Sequence, residues 1–158
     1  WKNPTGCLEI IQSIISWSCL VMMNEIFISL KSEFAELIRS RKKTYEFRKY
    51  RPRHRIERFW IYITEPILEL KYIAEVGDVV EYPNRISEEG IGNLEFNRGL
   101  KKAKYAFPIL HLDELVEPLD LQRLKEEFGF TPPQSFSYID KYQRLVDHVN
   151  HSDLRRLY

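Results

Sequence analysis

The spacing of apolar and polar residues divides most of the chain into short segments. Glu25–Leu30 (EIFISL) alternates well enough for a strand. In the next segment Ser32 is placed as an N-cap and Glu33 and Glu36 suit a first turn, while Phe34, Leu37 and Ile38 share one helical face. Arg39, Arg41 and Lys42 fall in the expected last turn, where cations complement the negative end of the helix dipole. Thr44–Arg48 predicts a second strand, the charged run around Pro52 a loop, and Arg58–Ile63 (RFWIYI) a strongly β-prone strand. Leu70–Val76 and Asp78–Tyr82 read as strands joined at Gly77. Residues 83–99 are loop-like, with a short helix over Leu94–Arg98. Ala103–Leu110 predicts a further strand, in which Pro108 requires an edge or a bulge. Leu119–Phe128 has helical spacing and stops at Gly129, TPPQ forms a rigid elbow, and Tyr138–Val149 is again helix-like. This pattern predicts a mixed α/β (α+β) domain of about six short strands with flanking helices. So many short strands between turn signals suit a small, partly closed β-barrel.

The first two dozen residues stand apart. Leu8 to Met23 is apolar, but Glu9 and Gln12 interrupt it, and it is short for a membrane span of about 20 residues. Its start carries only Lys2, and no small-residue cleavage site follows. Residues 1–22 are therefore read as an extension, non-native or an extra helix lying on the domain, with Ile10, Ile11, Ile14 and Ile15 at helical spacing. Residues 23–150 form the expected domain and 151–158 a C-terminal tail. No membrane role is expected.

A chain of 158 residues with 44% hydrophobic and 30% charged residues is of single-domain size and globular composition. Its net charge of +1 points to no polyanion, yet the distribution does. Between Arg39 and Arg58 stand ten lysines and arginines against two acids, Glu46 and Glu57, a local charge of +8. Of the 24 cations and 23 acids in all, 14 and 21 are left for the rest, which carries −7. One basic face is the usual footprint of a nucleic-acid partner, and a solvated charged loop is the plainer alternative. Cys7 and Cys19 both lie in the leader, and His54, His111, His148 and His151 have no zinc-like spacing. A reducing, cytoplasmic setting is expected, with no metal and no cofactor.

The run FISLKSEFAELIRSRKKTYEFRKY resembles the opening of the ASCH domain, a family with a PUA-like β-barrel. The family signature G-x-K-x-x-E-x-R falls on Arg41–Arg48: Lys43, Glu46 and Arg48 match, and Arg41 replaces the glycine. The similarity continues through WIYITEP, AEVGDVVEY, KKAKYAFPILHLDELVEPLDLQRL and FGFTPPQSFSYI, covering roughly Asn24 to Val149. It implies binding of RNA or of a modified nucleoside beside the signature.

In a strand, Thr44, Glu46 and Arg48 would share one face, so that Glu46 and Arg48 pair, with Lys43 entering from the preceding turn. A structural ion pair is one reading of that cluster. A polar pocket is the other: Lys43 or Arg48 holds phosphate, and Glu46 accepts from a base amino group. Lys49, Arg51, Arg53 and Arg55 would extend it with phosphate contacts. Tyr45, Tyr50, Phe59, Trp60 and Tyr62 are stacking candidates, Tyr50 the best because the strand aromatics suit a core. Two alternatives stay open. Some small ASCH proteins resemble amidohydrolases acting on N4-acylated cytidine, with a Lys, a nucleophilic Thr and a Glu. In those enzymes the Thr stands where this chain has Glu46, leaving Lys43, Thr44 and Glu46 as candidates with Glu81, Glu88 or Glu89 as a distant acid. The other alternative is a protein-interaction or transcription-coregulator module, for which the TPPQSF elbow is a candidate surface.

Overall fold

The structure, a computed structural model, describes residues 24–158. The expectations for the leader, including both cysteines, lie outside the described residues. In chain order the elements are β1 (Glu25–Leu30), α1 (Ser32–Arg39), β2 (Tyr45–Arg48), β3 (Arg58–Ile63), β4 (Glu69–Val76), β5 (Val80–Glu81) and α2 (Asn93–Asn97). Next come β6 (Tyr105–Asp120), α3 (Leu121–Phe128), β7 (Ser137–Tyr138), a 3-10 turn (Ile139–Tyr142), α4 (Gln143–Asn150) and β8 (Leu154–Arg156). The sheet runs β2-β6-β4-β3-β1-β7 as a curled half-barrel, with β5 and β8 added to β6. Only β1 and β3 pair in parallel, joined by the crossover through α1 and β2.

The continuous apolar run RFWIYI has a simple cause: β3 lies between two cores, so neither face can be polar. Phe59, Ile61 and Ile63 join Ile26, Ile28, Leu30, Ile38, Ala74 and Leu112 inside the curl. Trp60 and Tyr62 face the other way, against Phe27, Leu70, Leu124, Phe130 and Leu145. Phe27 anchors that second core through edge-on contacts to Trp60 and Phe130 at 5.4 and 5.0 Å. The strand aromatics Phe59, Trp60 and Tyr62 are thus core residues, at 1%, 0% and 2% exposure, and take no part in stacking with a ligand.

Four local expectations change. Lys31, not Ser32, occupies the N-cap of α1, and no side chain caps that helix. The helix closes at Arg39 with Ser40 as its C-cap, so Arg41 and Lys42 lie beyond the last turn. The strand expected over Ala103–Leu110 runs on to Asp120, because the apolar residues Leu112, Leu115 and Leu119 continue to face the cores. Asp120 then caps α3, its carboxylate accepting from the Arg123 amide at 2.8 Å. Pro108 lies at a bulge: β4 and β6 slip register between Glu75 and Val76, and the Pro108 carbonyl takes the Gly77 amide. The sequence pattern predicts no strand after Val149, yet β8 pairs residues 154–156 with Leu115, Glu114 and Asp113 of β6.

Leu112 and Leu70 are fully buried, one in each core. Replacing either with Ala is expected to lower the unfolding free energy by about 2–5 kcal/mol, measured by urea denaturation. Leu154→Ala on the exposed β8 should change it by no more than about 0.5 kcal/mol.

Candidate nucleic-acid interface

The site begins in the turn between α1 and β2. Arg41, at the signature's glycine position, takes the left-handed conformation (φ 62°) that glycine adopts most easily. The turn keeps its path because its neighbours fix it. The Ser40 amide donates to the Glu36 carbonyl, Arg41 to Ile38, and Lys43 to Leu37. The Arg41 guanidinium lies 4.2 Å above the ring of Tyr158, whose hydroxyl donates to the Ile38 carbonyl at 2.6 Å. Tyr158 therefore clasps the turn that feeds the site. Burial raises the Tyr158 phenol pKa, with Arg41 opposing.

Beyond the turn, Lys43 and Glu46 are both buried, at 6% and 4% exposure. Lys43 Nζ lies 3.5 Å from Glu46 Oε2, and Arg48 lies 3.5 Å from Oε1, so the carboxylate stands between two cations. Lys43 also donates to the Tyr45 carbonyl at 2.6 Å and sits 4.4 Å over the Phe47 ring. Arg48 donates to the Ser135 carbonyl, tying β2 to the TPPQSF elbow. Glu46 Oε2 accepts no well-aligned hydrogen bond, a buried acceptor left with only its ion pair. Desolvation lowers the Lys43 pKa below its ordinary 10.5, and Glu46 opposes that shift through its charge and contact. The folded chain therefore releases this proton before the unfolded chain does. That group alone adds stability as pH rises from its lowered pKa towards 10.5.

Two clefts are lined by residues of this region, and the cluster itself lines one of them. One, of about 240 Å³, is lined by Lys43, Glu46, Phe47, Lys101, Lys102 and Phe34 among others. The second, of about 270 Å³, is lined by Arg51, Pro52, His54, Arg55, Asp78 and Phe107 among others, and belongs to the basic loop. The structure does not treat the expected loop cations alike. Lys49, Arg51 and Arg53 are exposed and make no ion pair among the described residues, and Tyr50 is 66% exposed. Arg55 instead pairs with Asp78 at 2.7 Å and with Glu57 at 3.4 Å. Arg58 pairs with the buried Glu25, which also takes the Trp60 indole N–H.

Thr44 is turned to another task. Its hydroxyl donates to the Glu89 carbonyl at 3.3 Å and accepts from the Asn93 amide at 3.2 Å, and no hydrogen bond joins it to Lys43. Glu81, Glu88 and Glu89 are exposed, and Glu88 pairs with Arg85 at 3.2 Å. Lys101 and Lys102, absent from the sequence-based set, line the same cleft as Lys43 and Glu46. A signal for them exists: between Glu95 and Asp113 the chain carries Arg98, Lys101, Lys102 and Lys104 and not one acid. Among the described residues no group of three or more His, Cys, Asp or Glu side chains is placed to share a metal ion, and no helix is long and apolar enough to cross a membrane.

A curled half-barrel whose end strand carries a buried Lys–Glu–Arg cluster beside a basic loop is a PUA-like domain of ASCH type. No protein-family model matches the chain. The chain is 36% identical over 135 residues to an ASCH domain-containing ribonuclease of Zymomonas mobilis, covering 77% of this chain and 90% of that one. The crystal structure of ASCH from Zymomonas mobilis superposes with a TM-score of 0.63 at 29% identity, over 83% of this chain and 97% of the other. A tyrosine-to-phenylalanine mutant of that protein gives 0.64 at 27% identity, over 82% and 99%. The chain belongs to the ASCH domain family.

Removing the Glu46 charge takes away the contributions that hold the Lys43 pKa up. In Glu46→Gln the Lys43 ammonium should titrate at lower pH than in the parent protein, read from its side-chain NMR resonances. An equal or higher pKa would mean that the pair is not formed in solution.

Proposed function

We propose that this protein binds single-stranded RNA across the clefts beside β2. The observation that carries this reading is the buried Glu46 carboxylate, one oxygen of which faces only the Lys43 ammonium and accepts no well-aligned hydrogen bond, next to exposed Lys49, Arg51 and Arg53, which make no ion pair among the described residues. A fold has little use for a buried acceptor left open, since an unmade hydrogen bond there costs roughly 1–3 kcal/mol. A base offering an exocyclic amino group completes it, as a carboxylate accepts from cytosine N4. The loop cations hold the phosphates, which position a strand without reading its sequence. Tyr50, exposed among those cations, offers a ring on which a base can stack, worth about 1–3 kcal/mol. The ribonuclease name of the Zymomonas mobilis relative supports RNA as the ligand and favours cleavage as a second step at the same place.

Fluorescence anisotropy with a cytidine-containing single-stranded RNA, and with the DNA of the same sequence, over a salt series tests this reading. Binding should weaken as salt rises. Glu46→Ala and Arg48→Ala should each weaken it about tenfold or more, the loss of one charge-assisted hydrogen bond, with folding checked by circular dichroism. Electrophoresis of the same samples separates reader from nuclease: intact RNA means binding alone, and fragments mean cleavage. Absence of binding at low salt by the folded parent protein would overturn the RNA reading.

A further inference from the structure

The antiparallel register of β2 with β6 pairs Arg48 with Tyr105. The chain leaving β2 at Lys49 and the chain entering β6 from Lys104 therefore lie at the same end of one ladder. This topology sets two basic segments side by side that are some fifty positions apart in sequence: Lys49–Arg53, and the segment holding Arg98, Lys101, Lys102 and Lys104.

The second segment is built, and its cations are divided between holding the turn and facing outward. The Leu100 amide donates to the Glu95 carbonyl at 2.9 Å. Lys104 Nζ donates to the Gly99 and Lys101 carbonyls at 3.2 and 2.7 Å and lies 4.7 Å from the centre of the Tyr82 ring. Gly99 (φ 70°) is held so closely to Tyr82 that a Cβ would meet its hydroxyl at 2.5 Å. Lys104 is therefore the staple of the turn. Lys101 is partly exposed, Lys102 is exposed, and neither makes an ion pair among the described residues. Lys101 leans over the Phe47 ring at 4.7 Å, which places its ammonium at the mouth of the cleft that Lys43 and Glu46 line. With Lys43 on that ring and Phe96 stacked 5.5 Å away, Phe47 is filled by protein and is a platform for the lysine rather than for a base.

We infer that Lys101 and Lys102 form a second phosphate-holding jaw, opposite Arg51 and Arg53, so that a bound RNA strand crosses the shared end of β2 and β6 with Glu46 between the two jaws. The inference rests on the RNA reading above and adds the far side of the site to it. Its physical basis is counterion release: each phosphate held on a single strand contributes about 0.7 to the slope of log K against log salt.

The test uses the full chain and a cytidine-containing RNA dodecamer. Lys101→Gln/Lys102→Gln and Arg51→Gln/Arg53→Gln remove charge while keeping length, and Lys125→Gln on the exposed face of α3 is the control. Each double variant should bind more weakly and lower the salt slope by about 1.4, the loss of two phosphate contacts. The control should match the parent protein. If the Lys101/Lys102 variant keeps the parent slope and affinity while the Arg51/Arg53 variant loses both, the second jaw is overturned and the RNA reading stands. If the parent protein shows no salt-sensitive binding, both fall together.

Discussion

A sixteen-residue strand offers two long edges of backbone groups, and each must find a partner or face water. Strand β6 meets that constraint with four partners: β2 and β5 along its first residues, β4 and β8 along the remainder. The rest of the molecule is arranged around it. Its bulge beside Pro108 lets the sheet bend, and the bend makes an interior for Ile28, Phe59 and Leu112. Its last residues carry the chain across to α3 and the second core. Its first residues fix where the signature strand β2 lies, and so where the charged cluster sits.

That cluster is a poor device for stability. Burying a carboxylate and an ammonium costs several kcal/mol per ion, and an apolar pair of similar volume is often as stable or more so. Here Lys43 recovers part of the cost through the Tyr45 carbonyl and the Phe47 ring, and Arg48 through the Ser135 carbonyl. Glu46 recovers less, since Oε2 faces only the Lys43 ammonium at 3.5 Å without a well-aligned hydrogen bond. The cations around the site divide in the same way. Arg41, Arg55, Arg58 and Lys104 hold a ring, a loop, a strand edge and a turn. Lys49, Arg51, Arg53, Lys101 and Lys102 make no ion pair among the described residues, so their charge is available to a ligand.

Where alternation or a local stop signal sets a boundary, the sequence was easy to read: β1, the start of β2 and the Gly129 stop of α3 stand within a residue or two of where the pattern puts them. The misses share a cause, which is tertiary context that no local pattern carries. Nothing near Leu154 says that β6 has a free edge waiting for it. Nothing around Ser32 reveals that Lys31 takes the cap position. At 41 an arginine stands where the family signature has glycine, and local sequence does not say what holds its turn. Tyr158, 117 positions later, supplies the ring and the hydroxyl that hold it. The Glu46–Arg48 pairing was legible because it needs only strand alternation, and Lys43 reaches the same carboxylate from the short turn before the strand. Lys101 was not, because its neighbour Phe47 is reached through the β2–β6 ladder rather than along the chain.

The local charge of +8 between Arg39 and Arg58 therefore overstates the basic loop and understates the site. Arg39, Arg55 and Arg58 face acids within ion-pair distance, and that pairing cancels most of their long-range field. What remains positive is narrower and lies at one end of one ladder, where a second basic segment doubles it. A field concentrated at the end of two strands acts on a polyanion differently from one spread over a face. On the proposed RNA reading it would suit a chain that can bend across the ladder end, which a single strand does readily and a stiff duplex does not. Glu46 lies on the same ladder, opposite Phe107, and its charge is met by Lys43 and Arg48, so it offers an acceptor rather than a net negative charge. On the proposed RNA reading, phosphates held by the basic segments and an amino group accepted by Glu46 would leave the backbone outside with a base turned inward.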